Sequence, residues 1–180
     1  MKDFKVFLDM DGVLTDFNNA FIDIPANKEN LTFEEYDAKY GFPNGWKLID
    51  DEGTKWWSEM KWMVDGKDVW EYFKQYDPII LSAPSRQPSS AKGKEIWVRR
   101  ELGIDVERAT RSPKLTKWDE DSRMILNPNK YQFSNRFTNS ILIDDTKKKI
   151  VDWTRAGGIG IIHGNAKDTI GQFEKIISKL

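Results

Sequence analysis

Five short apolar runs, at residues 4–9, 78–82, 123–127, 140–144 and 158–163, each stop at a polar or glycine residue. They are too brief for helices and too continuous for strands with one wet face, so they read as strands covered on both sides. Helical patterns separate several of them. Residues 92–103 offer Ile96, Val98 and Leu102 to a core and stop at Gly103. Residues 147–157 offer Ile150, Val151 and Trp153 and stop at Gly157. Residues 166–180 place Ile170, Phe173, Ile176, Ile177 and Leu180 near a 3.6 period. Strand and helix in alternation predict an α/β fold: a Rossmann-like, mostly parallel sheet flanked by helices.

One stretch breaks the alternation. Between the first strand and Pro78 lie roughly sixty residues without strand signals. They hold five of the eight tryptophans of the chain, Trp46, Trp56, Trp57, Trp62 and Trp70, together with Phe17, Phe21, Phe33, Tyr36, Tyr40 and Phe42. This stretch predicts a small helical cap inserted after the first strand, giving a core of residues 1–16 and 75–180 and a cap of 17–74. A second irregular stretch, 105–122, is highly charged and carries Arg108, Arg111, Lys114 and Lys117. It reads as a surface excursion.

Composition removes whole classes of function. The 180 residues contain no cysteine and one histidine, His163, which excludes a disulfide scaffold, a thiolate metal site, a cysteine nucleophile and an imidazole-rich zinc site. Twenty-eight Lys and Arg against 29 Asp and Glu leave a net charge of -1, too little for a general attraction to nucleic acid. No apolar run approaches the ~18 residues of a membrane span, and charges at Lys2, Asp3 and Lys5 interrupt any leader-like segment. The expectation is a cytoplasmic protein without membrane or nucleic-acid partners.

In open α/β sheets ligands sit beyond the carboxyl ends of the strands. The residues there are Asp9 with Asp11, Ser82, Lys130, and Asp144 with Asp145. An Asp-x-Asp-Gly is by itself an ordinary turn, an Asp pair an ordinary helix cap, and Ser82 and Lys130 ordinary loop residues. Together, in order and each at a strand end, they form the kit for phosphoryl transfer to a carboxylate. A phosphate dianion near several carboxylates is repelled by several kcal/mol at about 4 Å even in an effective dielectric near 20, so a cation is required. Oxygen ligands without thiolates favour Mg²⁺. Asp9 then serves as nucleophile and Asp11 as acid and base, while Ser82 and Lys130 hold the phosphoryl oxygens.

These residues resemble the four motifs of the haloacid dehalogenase (HAD) superfamily of phosphohydrolases. Asp9-Met-Asp-Gly-Val-Leu-Thr-Asp16 matches the first, Ile79-Ile-Leu-Ser82 the second, and Ile141-Leu-Ile-Asp144-Asp145 the fourth. The resemblance implies Mg²⁺ held by Asp9, Asp145 with Asp144 as its partner, and the backbone carbonyl of Asp11. Within the superfamily the chain is most similar to the 5'(3')-deoxyribonucleotidases and their bacterial and phage relatives. Ser82-Ala83-Pro84-Ser85-Arg86 and Lys94-Glu-Ile-Trp97-Val98 carry that likeness. It implies a deoxyribonucleoside monophosphate as substrate, Ser82, Ala83 and Arg86 at the phosphate, and Phe17, Trp57 and Trp62 around the nucleoside. It also allows a homodimer.

Two points stay open at this level. Thirteen residues separate Lys130 from Asp144, more than the third motif usually has, so Lys114 competes with Lys130 for the phosphate-site role. The substrate could be a sugar phosphate or a polynucleotide 3'-phosphate, and a protein that binds nucleotide without turnover is a further alternative.

Overall fold

In a computed structural model of the chain, residues 3–106 and 122–180 are described. The basic cluster of Arg108, Arg111, Lys114 and Lys117 lies outside them. The elements run β1 (Lys5–Leu8), α1 (Phe17–Ile22), α2 (Phe33–Tyr40), α3 (Asn44–Ser58), α4 (Gly66–Phe73), β2 (Ile79–Ser82), α5 (Pro88–Leu102), β3 (Met124–Leu126), β4 (Ser140–Asp144), α6 (Lys147–Arg155), β5 (Ile159–Ile162) and α7 (Ala166–Ile177). The five expected strands form one sheet in the order β3-β2-β1-β4-β5. All four pairings are parallel, with Leu8 opposite Ile80 on one side and Ile143 on the other.

Alternation along each strand divides the core in two. Val6, Leu8, Ile80, Met124, Leu126, Ile141 and Ile143 face Val69, Phe73, Trp97, Val98 and Phe173. Phe7, Ile79, Leu81, Ile125 and Leu142 face Phe133 and Trp153. Both faces are dry, as the continuous apolar runs require.

Helix α5 starts at Pro88, earlier than the periodicity indicated, because proline is favoured in the first turn where no N–H partner is needed. Ile96 is 41% exposed, not in the core as expected; Lys94 and Trp97 are turned inward instead. Of the Trp-rich stretch, α4 packs Val69, Trp70 and Phe73 against the sheet. Helices α1 to α3 enclose a separate aromatic cluster of Phe17, Phe21, Ile24, Phe33, Ile49, Trp56, Trp57 and Met60.

The seam between this cluster and the sheet layer is α3 against α5. At Gly93 an added Cβ would lie 2.3 Å from the Cβ of Trp57 and 2.7 Å from the carbonyl oxygen of Thr54, so only glycine allows this approach. Trp97 Nε1 donates to the Met60 carbonyl at 2.8 Å, and Arg100 donates to the Ser58 carbonyl at 2.7 Å. Among the described residues no helix is long and apolar enough to cross a membrane.

Candidate active site

The sheet order explains why the predicted carboxylates meet. The chain leaves β1 toward β2 and β3, then returns to the other side of β1 to lay down β4 and β5. The break in direction falls between β1 and β4, where an open parallel sheet leaves a crevice at its carboxyl edge. Asp9 follows β1 and donates its N–H to the Ile143 carbonyl at 3.0 Å, so Asp9 stands beside Asp144 and Asp145. Each of these three offers a carboxylate oxygen within 4.8 Å of the others.

Lys130, on the 3-10 turn Lys130–Phe133 after β3, lies between two of them. Its Nζ is 2.6 Å from Asp9 Oδ1 and 2.6 Å from Asp144 Oδ2, and its side chain is 2% exposed. The second oxygen of Asp144 accepts from the Thr146 N–H at 2.8 Å. Asp9 Oδ1 also accepts from the Met10 N–H at 2.7 Å. Both oxygens of Asp144 are therefore engaged within the protein, whereas among the described residues Asp9 is held through Oδ1 and Asp145 through Oδ1, which accepts from Thr146 Oγ1 at 3.2 Å.

One ammonium does not balance this charge. Burial, then the neighbouring Asp144 and Asp11, push the Asp9 carboxyl up to about 7 against the opposing pull of Lys130. Although Asp145 reaches solvent, the crevice walls desolvate it, and with Asp144 beside it its carboxyl is raised too. Burial works against the Lys130 charge, but Asp9 and Asp144 outweigh it and hold the ammonium protonated. Three close carboxylates, all oxygen donors and short of positive charge, fit a hard divalent cation.

Glycine 12 makes the crevice narrow enough. Its φ of +80° turns the chain after Asp11, and a Cβ there would sit 2.0 Å from Asp145 Oδ2. The carboxylate of Asp145 thus rests on the bare backbone of Gly12.

Asp11 points elsewhere. Its Oδ2 is 2.6 Å from Lys94 Nζ and its Oδ1 accepts from Thr15 Oγ1 at 3.0 Å. Its carboxylate lies outside the three-carboxylate cluster. Lys94, on α5, is fully buried; it also donates to Ser82 Oγ at 2.9 Å and lies 5.0 Å from the Trp57 ring centroid. A buried ammonium is tolerated only with such partners. By sequence Lys94 contributes only to the resemblance and has no place among the expected site residues. Period counting sets lysine outside the core, and no local signal shows that β1 and β2 bring Asp11 and Ser82 to it.

A cavity of about 1000 Å³ opens from this point. Asp11, Trp57, Ala83 and Arg86 are among the residues that line it. Phe17 and Trp62 are not. Phe17 is packed edge-on against Phe33 and Trp56 inside the cap cluster, with ring centroids 5.6 and 5.4 Å away. Trp62 packs on Trp97 at 4.8 Å and donates from Nε1 to Glu101 at 2.9 Å, on the sheet side. Phe42, Trp46 and Asp50 take their place in the cavity wall. His163, at the end of β5, is hydrogen-bonded through Nδ1 to Thr169 at 2.9 Å and lines neither part of the site.

The solved structures that this architecture matches include hydrolases and a mutase: a putative beta-phosphoglucomutase from Thermotoga maritima superposes with a TM-score of 0.53 at 14% identity, over 96% of this chain and 99% of that one. A hydrolase from Streptococcus pneumoniae TIGR4 superposes with a TM-score of 0.53 at 12% identity, over 97% of this chain and 100% of that one. A haloacid dehalogenase-like family hydrolase from Streptococcus pneumoniae gives 0.50 at 15% identity, over 95% and 91%. A HAD hydrolase of family IA from Entamoeba histolytica gives 0.50 at 12% identity, over 93% and 86%. The five-stranded parallel α/β fold is the one these HAD-like structures share. No protein-family model and no curated protein matches the sequence. At these identities the likeness speaks for architecture, and the chemistry rests on the side chains themselves.

Proposed function

We propose that this HAD-like protein is a Mg²⁺-dependent phosphomonoester hydrolase that works through a phosphoryl group on Asp9. The observation that carries this reading is the contact of Lys130 with Asp9 and Asp144 beside the exposed carboxylate of Asp145. Asp9, Asp145 and the carbonyl of Asp11 would hold the ion, with Asp144 keeping Lys130 and the loop in place. When bound, Mg²⁺ screens the carboxylates from the incoming phosphate and draws charge from its oxygens.

The residues of the chain then divide the work. Lys130 and the Met10 N–H both engage Asp9 Oδ1, which leaves Oδ2 to attack phosphorus in line. As the new O–P bond forms, the ester O–P bond breaks, and the leaving alkoxide takes a proton from Asp11. Water then attacks the phosphoryl group on Asp9 with Asp11 taking its proton, and inorganic phosphate leaves. Before any of this, Asp11 must let go of Lys94 to carry a proton. A phosphoryl oxygen arriving beside Ser82 supplies Lys94 with the replacement anion, so substrate entry frees the acid.

The substrate reading is a small nucleotide, a deoxyribonucleoside monophosphate. The cavity is large enough for a nucleoside, is lined in part by Asp11, and has Trp46 and Phe42 for a planar base to stack on. The insert over 17–74 supplies this wall through α3 and so serves as the cap, while Arg86 at the rim meets the phosphate.

Asp9→Asn tests the chemistry. It should lower Mg²⁺-dependent release of phosphate from an aryl phosphate by at least about 10⁴-fold, and chelation of the metal should stop the wild type. Unchanged release by Asp9→Asn would falsify the nucleophile assignment. A panel of deoxynucleoside monophosphates, sugar phosphates and 3'-phosphorylated oligonucleotides tests the substrate, with turnover expected for the first group.

A further inference from the structure

The proton donor is clamped at both oxygens. Asp11 lines the cavity with a side chain that is 25% exposed, yet each of its oxygens is held by a group that water does not reach. Oδ2 lies 2.6 Å from Lys94 Nζ, and Oδ1 accepts from Thr15 Oγ1 at 3.0 Å. Lys94 and Thr15 are fully buried. The Lys94 contact is given up during the proposed reaction, because the ammonium passes to a phosphoryl oxygen. The Thr15 contact stays.

Thr15 has no room to drift. Its N–H donates to the Met10 carbonyl at 2.9 Å, and its carbonyl accepts from the Gly12 N–H at 2.9 Å, which closes the loop after β1 on itself. Thr15 also pairs with Trp62, where the chain leaves the stretch that holds α1 to α3. Two hydrogen bonds flank that pair, from the Asp16 N–H to the Lys61 carbonyl at 2.9 Å and from the Met63 N–H to the Leu14 carbonyl at 2.8 Å. Valine has nearly the same shape and no hydroxyl to desolvate, so packing alone gives no reason for a threonine here.

We infer that Thr15 is a positioning residue for the acid: it fixes Oδ1, so that Oδ2 is the oxygen of Asp11 that carries the proton. This inference rests on the phosphohydrolase reading given above. A carboxyl transfers a proton well only when the oxygen bearing it is aimed at the leaving group, and a misplacement of about 1 Å costs about 100-fold. Once Lys94 turns to the phosphoryl group, an unheld carboxyl would rotate. The Thr15 hydrogen bond removes that freedom and occupies Oδ1, which leaves the proton to Oδ2, on the side of Lys94 and Ser82. That proton passes to the ester oxygen as its bond to phosphorus breaks. The carboxylate then takes a proton at Oδ2 from the water that attacks the phosphoryl group on Asp9.

Leaving groups separate this role from support of the fold. Dinitrophenolate departs without a proton, whereas phenolate departs far better with one. For each ester kcat/KM reports transfer of the phosphoryl group to Asp9. Thr15→Val should lower kcat/KM for phenyl phosphate by about tenfold or more, the range for one hydrogen bond to a charged group, and that for dinitrophenyl phosphate by no more than about threefold. Thr15→Ser, which keeps the hydroxyl, should restore the wild-type ratio of the two esters. An equal loss for both esters is what a merely structural threonine predicts and overturns the inference. So does no loss for either ester, or a Thr15→Ser protein with the ratio of Thr15→Val. If valine is not accommodated, Thr15→Ala is read in the same way. Wild-type protein that hydrolyses neither ester overturns the phosphohydrolase reading, and the inference with it.

Discussion

Gly12→Ala is expected to lower kcat/KM for an aryl phosphate by about 100-fold or more, with a raised Mg²⁺ requirement, while the far-UV circular dichroism stays that of the wild type. The reason is local. The new methyl would sit 2.0 Å from Asp145 Oδ2 and 2.5 Å from its Cγ, so the carboxylate must move aside. Displacement of about 1 Å at a reacting centre is enough for a loss of that size. The positive φ adds strain of about 1 kcal/mol, which a protein of this length absorbs without unfolding. Activity within about tenfold of wild type would mean that Asp145 does not act from this position.

Lys130→Met should abolish activity and also destabilise the protein. Methionine fills much the same volume but removes the ammonium that Asp9 and Asp144 share at 2.6 Å each. Asp144 is fully buried, so its charge would be left without its main partner. Breaking a buried pair from one side costs about 3–5 kcal/mol. In a chain of this size that is a fall of about 6–20 °C in Tm. Mg²⁺ at millimolar concentration should restore part of the loss, since the ion offsets the same carboxylates. A Tm within about 2 °C of wild type would show that Lys130 does not hold this cluster together.

The sheet was legible because β2, β3 and β4 are buried throughout and β1 nearly so, leaving only the edge strand β5 partly exposed. Each centres on an apolar run such as Ile141-Leu-Ile with a polar or glycine stop, and each observed bound lies within one residue of the expected one. The strand ends then gave Asp9, Ser82, Asp144 and Lys130, since a residue that closes a parallel strand has few places to go other than the carboxyl edge. The insert was less legible. Its aromatic content announced a cluster, but apolar spacing does not tell which neighbour an apolar face meets, so α4 gave no sign that it packs on the sheet.

The same limit explains the misplaced ring residues. Phe17 directly follows the loop that holds Asp11, yet Asp16 caps α1 by accepting from the Asn19 N–H at 3.1 Å. That start turns Phe17 into the cap cluster. Lys94 and Asp50 were missed for the opposite reason. Charged side chains on helices read as solvated, and only tertiary contact shows that one is buried between Asp11 and Ser82 and the other lines a cavity.

Trapping the intermediate reaches the core of the account. Wild-type enzyme quenched in acid during turnover of an aryl phosphate, reduced with borohydride and digested for mass spectrometry should carry homoserine at residue 9, the product of reducing an acyl phosphate there. The modification should be absent without Mg²⁺ and absent in Asp9→Asn. Steady turnover with residue 9 unmodified, or with the label on another carboxylate, would contradict the assignment of Asp9 as the nucleophile.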